Sequence, residues 1–136
     1  MQHTATILVV DDDDDVRALA VPILHDAGYR ALPAANGDTA LLLLQNGLIV
    51  DLLFTDIVMP GELDGFRLAW EARRIQPDIR ILYTTGFSGF PEDRAGRYVE
   101  GKMLRKPYRP AVLAGEVMQA LGEGMPIPPE RPSARA

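Results

Sequence analysis

A chain of 136 residues, 47% of them apolar, is sized for one domain with its own core and is too apolar to stay disordered. Its formal charge of −5 argues against nucleic acid as a direct partner, because phosphate backbones are met by basic faces. With no cysteine, disulfides and thiol chemistry are excluded. No window approaches the roughly 18 apolar residues of a membrane span, and nothing near Met1 reads as a signal peptide, so a cytoplasmic protein is expected, with no membrane partner.

Thr6-Ile7-Leu8-Val9-Val10 is a continuous apolar, β-branched run, which predicts a strand buried on both faces. It runs directly into five aspartates, Asp11 to Asp15, the last three of which suit the first turn of a helix. Val16, Leu19, Ala20, Ile23, Leu24 and Ala27 then recur at helical spacing up to a capping Gly28, with Pro22 off the apolar face. Tyr29 to Pro33 reads as a second strand. Asn36-Gly37-Asp38 opens a second helix that buries Ala40, Leu41 and Leu44 and stops at Gly47.

Leu52 to Thr55 is too short for a helix and reads as a third buried strand, with the carboxylate of Asp56 at its end and Pro60-Gly61 behind it. Asp64 is placed to cap a third helix with a polar stripe of Arg67, Glu71 and Arg74, stopped by Pro77. Ile79 to Thr84 is a fourth strand. Gly86 to Gly96 is irregular, with any helix confined to about Pro91–Arg97. Lys102 to Arg105 is a fifth strand, and Pro110 opens a last helix with Leu113, Val117, Ala120 and Leu121 as its buried stripe. The domain is therefore expected over residues 1–121, with a disordered tail over 122–136, where proline, glycine and charge dominate.

Strands alternating with helices predict an α/β fold, a parallel sheet covered on both faces. Right-handed crossovers bring every strand's carboxyl end to one edge. That edge would gather Asp11 and Asp12, Asp56, Thr84 or Thr85, and Lys106. Three carboxylates repel unless a cation sits among them, and an oxygen-only ligand set favours Mg²⁺ with phosphate oxygens completing its shell. Such an edge suits phosphoryl transfer to Asp56, because positioning and charge neutralisation supply most of that catalysis.

The fragments Ile7-Leu8-Val9-Val10-Asp11-Asp12 with Arg17, Asp56 before Met59-Pro60 and Asp64-Gly65, Thr85-Gly86, and Lys106-Pro107-Tyr108 resemble the receiver domain of two-component response regulators. The resemblance spans about Thr6 to Leu121, and its specificity lies in the order and spacing of fragments that are weak singly. It implies a flavodoxin-like doubly wound sheet of five parallel strands in order 2-1-3-4-5. It implies that Asp56 accepts a phosphoryl group from a histidine kinase or histidine phosphotransfer protein, as a signalling switch or phosphorelay carrier. Asp12, Asp56 and the Val58 main-chain carbonyl would ligate Mg²⁺, with Asp11 acting through water. Thr85 would follow the phosphoryl group, with Thr84 the one-residue alternative, and Lys106 would pair with its oxygen. The Lys106–Pro107 bond is implied to be cis. No enzyme acting on other substrates is implied, only a phospho-acceptor that assists its own Mg²⁺-dependent phosphorylation and dephosphorylation.

Three positions depart from the family pattern. Met103 stands where the family usually has an inward-swinging Phe or Tyr, leaving its part in switching open. The loop between Pro60 and Asp64 carries an extra residue, Glu62 or a neighbour, and the segment after Thr85 is poor in helix formers. With fifteen residues after Leu121 no output domain is expected, so action by docking to a protein target, as a monomer or weak dimer, is implied. Two rival functions meet specific obstacles in the sequence. A phosphatase of the haloacid dehalogenase type needs a second Asp two residues past the nucleophile, where Val58 stands. A phosphorylation-independent receiver-like binding module is the alternative that the intact Asp11, Asp12, Asp56, Thr85 and Lys106 oppose.

Overall fold

In a computed structural model, residues 4–61, 63–86 and 99–122 are described. The five strands are β1 (Thr6–Val10), β2 (Arg30–Ala34), β3 (Leu52–Asp56), β4 (Arg80–Thr85) and β5 (Lys102–Arg105). They form one parallel sheet in the order β2-β1-β3-β4-β5, as expected. The helices among the described residues are α1 (Asp14–Asp26), α2 (Gly37–Gln45), α3 (Gly65–Ile75) and α4 (Pro110–Ala120). The helix expected near Pro91–Arg97, the extra loop residue at 62 and the tail from 123 onward lie outside the described residues.

Side chains alternate across each strand, so the sheet divides the core in two. Leu8, Val10, Leu53 and Tyr83 point into the layer with α2 and α3. Ile7, Val9, Leu52, Phe54, Leu82 and Leu104 point into the layer with α1 and α4. Both layers are apolar, which is why the central strands read as unbroken hydrophobic runs. Pro33, with no N–H to give, is tolerated because β2 is an edge strand.

Three differences from the expected elements have local causes. The second strand starts at Arg30, because the Tyr29 amide still closes the end of α1 on the Leu24 carbonyl at 3.0 Å. The fourth starts at Arg80, because the Ile79 amide turns back on the Gln76 carbonyl at 3.0 Å, and it runs on through Thr85, whose carbonyl accepts from the Lys106 amide at 2.9 Å. On α1, Ala20 and Leu24 are buried as expected, but Leu19 is 67% exposed and Ala27 is also on the outside. A five-strand sheet with α4 beside α1 covers a narrower stripe of that helix than its apolar residues could supply. The polar stripe of α3 is as expected: Glu71 pairs with Arg67 at 3.4 Å and Arg74 at 3.6 Å.

Candidate functional site

Asp11 immediately follows β1 and is only 1% exposed. Its position is fixed from three sides. The Asp11 amide donates to the Ala34 carbonyl at 3.2 Å, its Oδ1 accepts from the Asp13 amide at 2.9 Å, and its own carbonyl accepts from Arg17 Nη1 at 2.6 Å. The aspartate run thus divides by role. Asp13 caps α1, accepting from the Asp15 and Val16 amides, Asp14 pairs with Arg17, and Asp12 is exposed beside the site.

Asp56 is not a residue beyond its strand but the last residue in it, opposite Thr84 in the ladder and buried. The chain leaves it under tight control. The Ile57 amide donates to the Thr84 carbonyl at 3.1 Å, and the Gly65 amide donates to the Ile57 carbonyl at 2.8 Å. Gly65 is the first residue of α3, and a Cβ there would sit 2.2 Å from the Asp56 carbonyl oxygen and 2.8 Å from Ile57 Cα. Only a glycine lets α3 start against the acceptor strand; Asp64, which caps that helix by accepting from the Arg67 amide at 2.8 Å, completes the pair.

Lys106 reaches over from the end of β5. Its Nζ lies 2.8 Å from Asp11 Oδ2 and 3.1 Å from Asp56 Oδ2, and the peptide bond that follows it, to Pro107, is cis as the resemblance implied. Burial alone would lower the ammonium's pKa, but its bonds and charge attraction to Asp11 and then Asp56 outweigh this and raise it. The Asp56 carboxyl is raised, first by burial and then by the charge of Asp11, with Lys106 pulling the other way. Tyr108, two residues on, stacks edgewise on Phe54 with ring centroids 6.0 Å apart; burial, followed by the charge of Asp11, pushes its hydroxyl up to about 12.

Thr85 ends β4 opposite Arg105 and is buried, while the Thr84 hydroxyl is buried with no hydrogen-bond partner among the described residues. Val58 is exposed beside Asp56, and Met103 packs partly buried on the core layer that contains Tyr83, whose ring meets Phe66 at 4.9 Å. The structure therefore brings together Asp11, Asp12, Asp56 and Lys106 from three strand ends, with Thr85 and Val58 at the same edge. Gly65 and Tyr108 carry a geometric load that their motif positions alone did not assign. The signal for Gly65 was its place directly after a capping Asp.

One carboxylate oxygen from each of Asp11, Asp12 and Asp56 can be chosen so that all lie within 4.8 Å of one another. The donor set is all oxygen, and a single ammonium faces it, so the cluster has the chemistry of a site for a hard divalent cation.

A 2-1-3-4-5 parallel sheet with an acidic carboxyl edge and a lysine folded over it defines the flavodoxin-like receiver domain of two-component signalling. The family model of the response regulator receiver domain matches residues 7–117, and the chain belongs to that family. The response regulator receiver protein CpdR of Brucella abortus (strain 2308) is 40% identical over 118 residues, covering 85% of this chain and 95% of that protein. The sensor kinase CckA of the same organism is 37% identical over 126 residues, and there the match takes 89% of this chain but spans 13% of the kinase. The crystal structure of the receiver domain from the hybrid histidine kinase CckA aligns with a TM-score of 0.72 at 34% identity, covering 86% of this chain and 99% of that one. Among the described residues no helix is long and apolar enough to cross a membrane.

Proposed function

We propose that the chain is a phosphorylation-dependent signalling switch or phosphorelay carrier whose acceptor is Asp56. The observation that carries this reading is Lys106 Nζ held 2.8 Å from Asp11 and 3.1 Å from Asp56 above a cluster of three carboxylates. One Asp56 oxygen would form the O–P bond as the P–N bond of a phosphohistidine breaks, the departing imidazole keeping the electron pair and taking a proton from solvent. Asp12, Asp56 and the Val58 carbonyl would hold Mg²⁺, with Asp11 acting through water. When bound, the cation supplies charge neutralisation for the transferring oxygens. Lys106 would exchange its pairing with the free carboxylate for a phosphoryl oxygen, and the Thr85 hydroxyl would follow the group inward.

The same geometry supports a phospho-acceptor that assists its own loading and unloading, without turnover of a separate substrate. The donor would be a histidine kinase or a histidine phosphotransfer protein, and the readout a protein target met by docking in the cytoplasm. The CckA likeness fits such a donor, since that relative is itself a sensor kinase. The functional unit is taken as residues 1–121, acting as a monomer or weak dimer. Incubation with acetyl phosphate and Mg²⁺ tests the reading. One base-labile phosphoryl group per chain, absent in Asp56→Asn, is expected; steady turnover would indicate a phosphatase, and no modification a phosphorylation-independent binding module.

A further inference from the structure

Arg17 belongs to the stretch by which the chain resembles a receiver, yet phosphoryl transfer to Asp56 gives it no task. It lies in the first turn of α1 with its side chain only 16% exposed, which is deep for a charged group. The guanidinium spreads across the start of the helix. Nη1 donates to the Asp11 carbonyl at 2.6 Å, and Nη2 donates to Asp14, whose own side chain is 87% exposed. An ion pair with one member that open to water contributes little, so the Asp14 arm by itself does not account for the burial of Arg17.

The carbonyl that Arg17 holds belongs to the peptide joining Asp11 to Asp12. The next peptide, joining Asp12 to Asp13, is held as well, because the Asp13 amide donates to Asp11 Oδ1 at 2.9 Å. Asp12 is thus fastened on both sides. A residue has only two soft backbone dihedrals, so fixing both flanking peptides also fixes the direction in which its side chain leaves the backbone. Asp12 depends on this. Its side chain is exposed and makes no hydrogen bond or ion pair of its own among the described residues. One of its carboxylate oxygens nevertheless lies within 4.8 Å of an oxygen from Asp11 and of one from Asp56.

We propose that Arg17 is a positioning residue for the cation site: by pinning the Asp11–Asp12 peptide, its guanidinium aims the Asp12 carboxylate at a cation shared with Asp56. The inference rests on the reading of Asp56 as a Mg²⁺-dependent acceptor and adds a residue that touches neither the cation nor the phosphoryl group. The arm to Asp14 sets the plane of the planar fork, so that the other arm meets the carbonyl. As a bare charge, Arg17 would act in the opposite sense, since a cation beside three carboxylates repels Mg²⁺. The sign of its effect on Mg²⁺ affinity separates the two roles.

The test is calorimetric titration of Mg²⁺ into the full chain and into Arg17→Met, Arg17→Lys and Arg30→Met, each first shown to be folded by thermal melting. Arg17→Met removes the charge and both donors, and it should weaken Mg²⁺ binding about tenfold, the loss typical when a group that holds a metal ligand is removed. Arg17→Lys keeps the charge but cannot form the fork, and it should weaken binding several-fold. Arg30→Met removes an exposed charge where β2 begins, and it should bind Mg²⁺ as the parent does. Loading of both Arg17 variants by acetyl phosphate should be slow at low Mg²⁺ and recover as Mg²⁺ is raised to saturation, because Arg17 acts on a ligand and not on the reacting atoms. Tighter or unchanged Mg²⁺ binding in Arg17→Met, or an Arg17→Lys protein that matches the parent, would overturn the role of Arg17 while the parent still takes up its phosphoryl group. A parent that takes up none would overturn the reading of Asp56 itself.

Discussion

Replacing Gly65 by alanine tests how closely the acceptor strand and α3 are built together. The new Cβ would lie 2.2 Å from the Asp56 carbonyl oxygen, 2.8 Å from Ile57 Cα and 3.0 Å from the Asp56 carbonyl carbon. Comfortable separations are about 3.5–4.0 Å between carbons, so the start of α3 must retreat by about 1 Å. All three obstacles are backbone atoms, and no side chain can swing aside. Retreat also stretches the 2.8 Å hydrogen bond from the Gly65 amide to the Ile57 carbonyl. Overpacking costs about 1–3 kcal/mol and the loss of that bond about 1 kcal/mol more, giving roughly 2–4 kcal/mol. For a domain of this size that corresponds to a fall in melting temperature of about 8–15 °C. Gly115 supplies the control. It is an exposed glycine inside α4 whose added Cβ would meet nothing within 4 Å. Gly115→Ala should raise stability by about 1 kcal/mol through helix propensity. Differential scanning calorimetry of both variants decides the matter. A Gly65→Ala protein melting within about 2 °C of the parent, or a Gly115→Ala protein falling as far, would show that the close approach is not what fixes Asp56.

Asp56→Asn should abolish phosphorylation by acetyl phosphate with the fold intact; label mapped to another residue of that variant would remove the assignment. It should also raise the melting temperature of the metal-free protein at pH 7. Because the folded Asp56 pKa is raised, its contribution to stability is full below the unfolded value of about 3.9 and is lost as pH rises through the folded value, so the neutral amide relieves a cost that vanishes again in acid. A lower melting temperature at pH 7 would contradict that sign. Asp12→Ala should lose Mg²⁺ binding by calorimetry while Asp13, which caps α1, still holds the helix; unchanged Mg²⁺ affinity would exclude Asp12 as a ligand. Val58, exposed beside Asp56, cannot position an attacking water, so the phosphorylated protein should decay slowly and Val58→Asn should hasten the decay several-fold. A rapid parental decay, or no change in the variant, would reject that role.

Much of this architecture follows from local pattern. Thr6–Val10 and Leu52–Asp56 are strands because mostly apolar runs that short, buried on both faces, do not make helices. Asp64 caps α3 as its place before the helix led one to expect, while Asp13, expected in the first turn, stands one residue before α1 and caps it instead, as Asn36 caps α2, each side chain accepting a free amide at the helix end. The gathering of Asp11, Asp12, Asp56, Thr85 and Lys106 was also legible, since parallel strands with right-handed crossovers must deliver their ends to one edge. Distances were not. That Lys106 spans both Asp11 and Asp56, that Gly65 must lack a side chain, and that Tyr108 packs on Phe54 near the site depend on how helices and strands lie against one another. The burial of α1 differs from its apolar periodicity at Leu19 for the same reason. Periodicity records which face is apolar, but the width of the face that is covered is set by its neighbours, here α4 and the sheet. The fork of Arg17 belongs with these. Its place in the motif is legible, but the direction in which α1 leaves β1 is set by packing on the sheet, and only that direction brings the guanidinium onto the Asp11 carbonyl.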